Sequence, residues 1–310
     1  MIESQQPPLI ALVGPTAVGK TAISIQLAKR FDIEIISADS RLLYRGLDIG
    51  NAKPTSDERG QIPHHLIDVT DPDQPWSLSD YRQAAEEAIQ SIHHRGKIPM
   101  LVGGTGQYIA AILEGWQPPP RAATDELRNE LEAFVEQEGS EALHSRLAAL
   151  DPASAERIDH RNVRRVIRAL EIYDVTGELA STVRIKQAPP FRILRLGITL
   201  PRAELYQRID ERIEAMLEAG WAKEVRQLLE QGYDFESPTF SAIGYRQMAR
   251  YLRGEQTREQ VRAEIKRLTR QFVRRQANWF KPDDPRIHWF TNTNTVIDEM
   301  IELIEASLVV

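Results

Sequence analysis

Residues Gly14-Pro15-Thr16-Ala17-Val18-Gly19-Lys20-Thr21 fit the pattern G-x-x-x-x-G-K-[ST], and this octapeptide constrains the fold more than any other stretch of the chain. Such a loop works only between a strand and a helix. Its glycines let the backbone curl so that successive N–H groups point at phosphate oxygens, at the positive end of the following helix. Both flanks are present. The apolar run 9–13 stops at Gly14 and Pro15, and residues 20–31 switch to helical spacing through Ile23, Leu27 and Phe31. Lys20 offers a point charge to a phosphate, and Thr21 a hydroxyl for Mg²⁺.

Two more short apolar runs, 33–37 and 98–102, enclose a helix-like segment 81–94 carrying Ala85, Ala88, Ile89 and Ile92. Strands alternating with helices predict an α/β fold, a P-loop NTPase-like parallel sheet flanked by helices. Pro118-Pro119-Pro120 interrupts the alternation, helical patterns follow from about 124 to 176, and Pro189-Pro190 closes them before a strand-like run at 193–200. The expected organisation is therefore a catalytic core of 1–117 plus 188–310 with a helical insertion at 118–187. The C-terminal region reads as helical. Leu205, Ile209, Ile213, Met216 and Leu217 form one stripe, and Val261, Ile265, Leu268, Phe272 and Trp279 another, both at the spacing of core-facing helices.

Asp39 lies just beyond the second apolar run, so its carboxylate should emerge at the sheet edge where open α/β folds bind ligands. Three readings suit the position: a helix cap made by Asp39 or Ser40, a carboxylate organising Mg²⁺, or a general base. The third run ends in Gly103-Gly104-Thr105-Gly106 and carries no acid, which argues against an ordinary ATPase. That glycine run either brings backbone close to a neighbour or makes a tight turn into a helix. His64-His65 lack a third metal ligand at usable spacing and read as hydrogen-bonded groups. Arg208 and Arg212, four residues apart on one helix face, either grip a diphosphate or pair locally, Arg208 with Glu204.

Charge points to a partner. The net charge is −6, yet residues 241–281 hold eleven Arg and Lys against three Glu, a window of +8 that leaves −14 for the rest. Such asymmetry fits a polyanion-facing surface on an acidic body. Arg258, Arg262, Lys266, Arg270 and Arg274 follow one another at i+4, with too few acids in the window to pair them, so phosphate contact is expected. Arg157, Arg161, Arg164, Arg165 and Arg168 give the insertion a second cluster. The chain has no cysteine, which excludes disulfides, thiolate nucleophiles and Cys-ligated zinc, and no run of membrane length, so a cytoplasmic protein is expected.

At this point the residues resemble a known family, the tRNA dimethylallyltransferases, also called tRNA isopentenyl transferases. The likeness runs along nearly the whole chain. It is carried by the phosphate loop, by Ser37-Ala38-Asp39-Ser40 with Tyr44-Arg45-Gly46-Leu47-Asp48-Ile49-Gly50-Asn51-Ala52-Lys53-Pro54, and by His64-His65-Leu66-Ile67-Asp68. Gly103-Gly104-Thr105-Gly106-Gln107-Tyr108, Arg165-Val166-Ile167-Arg168-Ala169-Leu170-Glu171 and Ile243-Gly244-Tyr245-Arg246 follow in the family's order. Thr269-Arg270-Gln271, Arg275-Gln276 and Trp279-Phe280 complete it.

The resemblance implies transfer of a dimethylallyl group from dimethylallyl diphosphate to N6 of adenosine 37, beside the tRNA anticodon, with Mg²⁺ at Thr21. It implies that the loop 14–21, with Lys20, holds the diphosphate, that Asp39 is the general base, and that Thr105 and Arg208 line the reaction centre. The tRNA side would comprise Asp39, Ser40, Arg41, Leu42 and Thr105, with Arg164, Arg165 and Arg168 in an insertion that clamps the anticodon stem, and Arg262, Lys266, Arg270 and Arg274 on phosphates. A monomer is expected. Two residues depart from the family's pattern: Leu42 stands where Gln is usual, and Gln107 where Leu is common. The rival readings are a small-molecule kinase using the same loop for ATP, an enzyme prenylating a free adenine nucleotide, and a nucleotide-switched RNA-binding module without chemistry.

Overall fold

Short apolar runs bounded by amphipathic segments bury their backbone most economically as central strands covered on both faces. In the computed structural model, which describes residues 6–116, 125–182, 187–234 and 237–308, they do so. The first part of the core runs β1 (Pro8–Val13), α1 (Lys20–Phe31), β2 (Ile33–Ala38), α2 (Ser56–Gln61), β3 (His64–His65), α3 (Leu78–His94), β4 (Ile98–Gly103) and α4 (Gly106–Leu113). Four helices follow: α5 (Asp125–Glu138), α6 (Ser140–Leu150), α7 (Pro152–Arg157) and α8 (Val163–Thr176). The chain then returns through β5 (Arg192–Thr199), α9 (Arg202–Glu218), α10 (Trp221–Glu230), a 3₁₀ turn (Pro238–Ser241), α11 (Tyr245–Leu252), α12 (Arg258–Gln276), β6 (His288–Thr291) and α13 (Val296–Leu308).

All six strands are parallel, in the order β3-β2-β4-β1-β5-β6. Strand β1 lies between β4 and β5, with Val13 paired to Gly103 on one side and Gly197 on the other. On β2, Ala38 is also level with Gly103. The phosphate loop, the glycine run and Asp39 therefore leave the sheet at one edge, on three adjacent strands.

Contacts divide the chain into two compact units: Met1–Trp76, Asp80–Leu113 and Pro190–Val310 in one, Ser77–Ser79 and Glu114–Pro189 in the other. The second unit has its own core, in which Leu131, Leu143, Leu147, Val166 and Ile167 are buried together. Glu171, with no exposed surface, is held there by Arg128 Nη2 at 2.7 Å and Arg168 Nη1 at 3.3 Å. The two ends of this unit are tied together, the Gln187 N–H donating to the Gly115 carbonyl at 3.1 Å.

Within the first unit, the segment between β2 and α3 is fastened at several points. Lys53 Nζ is buried between Asp48 Oδ1 and Asp68 Oδ1, both at 2.5 Å, and donates to the Tyr44 carbonyl at 2.9 Å. The Glu224 carboxylate on α10 accepts the N–H groups of Asp48, Ile49 and Gly50 and the hydroxyl of Tyr245. Trp221 is wedged in place. A Cβ at Gly50 would fall 2.2 Å from its indole nitrogen, and one at Gly244 2.0 Å from its ring. His64 and His65 are the edge strand β3 and are hydrogen-bonded, His65 Nε2 to Glu34 Oε2 at 2.7 Å and His64 Nδ1 to the Ile62 carbonyl at 2.7 Å.

Candidate active site

The loop between β1 and α1 is shaped by positive-φ residues: Gly14 at 148°, Ala17 at 65° and Gly19 at 103°. Gly14 has a second constraint, since a Cβ there would fall 2.4 Å from the Ile198 carbonyl oxygen on β5. Lys20 begins α1, and its ammonium donates to the carbonyls of Gly14 at 2.9 Å and Pro15 at 2.8 Å. Burial pushes its pKa down to about 8; the nearby Asp39 carboxylate opposes the shift and Arg212 adds to it. The Thr21 hydroxyl bonds to none of the described residues, while the Thr21 carbonyl accepts from Ser24.

Asp39 follows the last residue of β2. Its Oδ1 accepts the Arg41 N–H at 2.9 Å, which closes a turn and not a helix. The helix-cap reading of Asp39 and Ser40 is thereby corrected: the next helix, α2, starts at Ser56 and is capped by Thr55. Asp39 lies within electrostatic reach of Lys20 and Arg212 and of the phenols of Tyr81 and Tyr108. Those two rings stack at 3.7 Å, and burial, followed by nearby ionisable groups that include Asp39, keeps both phenols protonated.

The glycine run reflects close approach at three points. A Cβ at Gly103 would lie 2.2 Å from the Ala38 carbonyl oxygen, at Gly104 2.2 Å from Gln276 Nε2, and at Gly106 2.0 Å from the Trp279 ring. Thr105 is thereby held against β2. Its N–H donates to Ala38 O and its hydroxyl accepts the Ser40 N–H, both at 3.1 Å, which leaves the hydroxyl proton to be donated elsewhere.

Helix α9 buries Leu205, Ile209 and Ile213 and carries Arg208 and Arg212 along the edge of that stripe. Arg208 pairs with Glu204 at 2.9 Å while its Nη1 reaches within 4.0 Å of the Cβ position of Gly19. Arg212 has one long contact, to the Asn51 carbonyl at 3.5 Å; burial lowers its pKa and Asp39 raises it. Arg41 donates to the Ser241 hydroxyl at 2.9 Å, and the Leu42 carbonyl accepts from the Asp68 N–H. Two further side chains brace the loop, a role that no local spacing signals although Gln276 falls in a block of the family resemblance. Gln276 Oε1 accepts the Thr16 N–H at 3.0 Å, and Asn292 Nδ2 donates to the Val18 carbonyl at 2.7 Å.

On α12 the expectation of too few acids is corrected, because the acids come from α9. Lys266 meets Glu214 Oε1 at 2.6 Å, Arg262 approaches Glu214 Oε2 at 3.9 Å, and Arg270 meets Asp210 at 2.6 Å. Arg274 is exposed and pairs with no acid among the described residues. The apolar stripe also needs correction, since Phe272 is half-buried and Trp279 is 41% exposed. On α8, Arg164 and Arg165 are exposed without an acidic partner among the described residues, whereas Arg168 is engaged by Glu171.

A phosphate loop, a carboxylate and two arginines at one edge of a parallel sheet define an α/β phosphate-loop enzyme. The chain belongs to the IPP transferase family: the IPP transferase model matches residues 42–283, and an isopentenyl transferase model matches residues 7–68. The tRNA dimethylallyltransferase of Roseiflexus castenholzii is 53% identical over 274 residues, 88% of this chain and 90% of that protein. That of Thermomicrobium roseum is 46% identical over 306 residues, 98% and 93% of the two chains. Among solved structures, the full-length tRNA isopentenylpyrophosphate transferase of Bacillus halodurans is 41% identical with a TM-score of 0.72, covering 97% of this chain and 96% of its own. A eukaryotic dimethylallyltransferase acting on tRNA is 29% identical with a TM-score of 0.83, covering 97% and 77%. Among the described residues no helix is long and apolar enough to cross a membrane.

Proposed function

We propose that this chain transfers the dimethylallyl group of dimethylallyl diphosphate to N6 of adenosine 37 in the tRNA anticodon loop, giving N6-dimethylallyladenosine and diphosphate. One observation carries the reading: Asp39 shares a sheet edge with the half-buried cations Lys20 and Arg212, each within its electrostatic reach. A carboxylate to take a proton beside cations to hold a departing anion is what the reaction needs.

The N6 amine is a weak nucleophile because its lone pair is delocalised into the ring, and it becomes markedly acidic only as the new C–N bond forms. An ionised carboxylate within about 3 Å can then accept the proton, a contribution of about 10²–10⁴ in rate. The larger barrier is departure of diphosphate from an allylic carbon gaining cationic character. Loop N–H groups, Lys20, Arg208 and Arg212 stabilise the charge that builds on the leaving oxygens. Thr105 can direct its free hydroxyl proton toward the reacting groups. The adenine leaves its stack at a cost of a few kcal/mol, which contacts from Arg164, Arg165 and the α12 row offset.

Mg²⁺ fits this edge through the Thr21 hydroxyl, an oxygen ligand without a partner among the described residues. The described residues contain no group of three or more His, Asp or Glu able to hold a metal, so the ion would arrive with the diphosphate. When bound, it supplies charge neutralisation on the phosphate oxygens. The reading includes a cytoplasmic monomer. It sets the kinase alternative second, because β4 ends in glycine where an ATPase has its acid.

The test is one incubation with labelled dimethylallyl diphosphate, unmodified tRNA and Mg²⁺ beside one with γ-labelled ATP; label in tRNA supports the proposal, and phosphoryl transfer alone sinks it. Lys20 sharpens it. An anion favours the ammonium, so with a free-enzyme pKa of about 8 the KM for the diphosphate should rise as pH passes above 8, and binding there should take up a proton. Lys20→Ala should abolish that pH dependence along with most of the affinity.

A further inference from the structure

We propose that Gln276 is a positioning residue, its side-chain amide setting the spacing between the phosphate loop and the turn that carries Thr105. Gln276 ends α12 and is 5% exposed. Its Oε1 accepts the Thr16 N–H at 3.0 Å, and its Nε2 donates to the Gly104 carbonyl at 3.1 Å. The orientation is dictated by the partners, since a flipped amide would set donor against donor and acceptor against acceptor.

What the amide joins makes it more than a satisfied polar group in the core. Thr16 belongs to the loop that bears Lys20 and Thr21. Gly104 precedes Thr105, which is bonded to Ala38 and Ser40, the residues on either side of Asp39. One amide thus links the cation that holds the leaving group to the carboxylate that takes the proton, through its own two hydrogen bonds and the two that Thr105 makes to Ala38 and Ser40. Space is tight on the Gly104 side, where a methyl group would lie 2.2 Å from Nε2 and push the amide aside. In a two-substrate transfer a misplacement of about 1 Å costs roughly 10²-fold in rate. The inference rests on the proposed function, in which the loop holds the donor and Asp39 faces the acceptor.

Gln276→Met keeps the volume and removes both hydrogen bonds. It should lower kcat about 10²-fold and leave the KM for tRNA within about twofold. Gln276→Glu retains the acceptor for Thr16 and should lose less, about tenfold. Gly104→Ala displaces the same amide from the opposite side, so it should reproduce the kcat loss, and the double variant with Gln276→Met should be no slower than the slower single. Should Gln276→Met fail to fold, Gln276→Glu and Gly104→Ala decide the matter by the same kcat criterion. Folded variants with kcat within twofold of wild type overturn the inference, as do losses confined to the KM for tRNA or losses that multiply in the double variant. Lys20→Ala, run alongside, separates the two failures. If it leaves the KM for the diphosphate unchanged, the donor reading falls and this inference with it; if it raises that KM while the Gln276 variants stay fast, only the role of Gln276 is wrong.

Discussion

Helices α8 and α12 both present arginines in rows, and they use them differently. On α12, Arg262, Lys266 and Arg270 face Glu214 and Asp210 of α9, so much of the row is already neutralised by the protein itself. On α8, Arg164 and Arg165 stand exposed without an acid, while Arg168 turns back to the buried Glu171. A basic row is available to a polyanion only to the extent that the neighbouring helix leaves it so. Exposed ion pairs are worth about 0–1 kcal/mol, so those on α12 can be exchanged for phosphates, but with a smaller net gain than Arg164 and Arg165 offer.

The contrast concerns binding and holds only if binding can be separated from chemistry. Asp39→Asn is the largest expected effect and makes that separation: kcat should fall 10²-fold or more, with tRNA affinity and its salt dependence unchanged. Loss of tRNA binding in proportion to activity would make Asp39 part of the binding surface. Next is Glu171→Gln, which leaves Arg128 and Arg168 facing a neutral group in the insertion's core. Because the two arginines left are themselves partly exposed, it should destabilise that unit by about 1–3 kcal/mol, read by denaturant melts, whereas an unchanged melt would release Arg168 for RNA contact.

The two rows are then compared directly. Arg164→Ala with Arg165→Ala should flatten the plot of log K for tRNA against log salt by roughly 1.4–1.8, two contacts at about 0.7–0.9 each. Arg262→Ala with Lys266→Ala should flatten it by less than half as much, since Glu214 already competes for both. Equal slopes would show that pairing to α9 does not withhold the α12 row, and the distinction between the helices would collapse.

What could be read in the sequence was whatever is written locally. The phosphate loop, the apolar runs behind β1, β2 and β4, and Asp39 one residue past β2 are all signalled within a few residues of themselves. Strands β3 and β6 were not, because two- and four-residue edge strands are defined by their neighbours and not by a pattern of their own. The pairs on α12 escaped for the same reason, Arg270 lying 60 residues from Asp210. Gln276 is 260 residues from Thr16, and no count of spacings would join them. Trp279 kept the period of a core stripe but lies beyond the last residue of α12, where helical spacing no longer determines which way a side chain faces.

The hydrogen bond between Gly115 and Gln187 bears on the order in which the molecule folds. Strands β4 and β5 flank β1, yet the whole four-helix unit is threaded between them in the chain. Closing a flexible connection of about 70 residues instead of about four costs roughly 2.5 kcal/mol in chain entropy. A unit that folds first and holds its own two ends together removes most of that cost, and β5 then reaches β1 as though it followed a short loop. Refolding of the sheet should therefore slow when the insertion is loosened. Stopped-flow measurements on Glu171→Gln, followed through Trp289 on β6, would show whether nucleation of the parallel sheet waits for the helices.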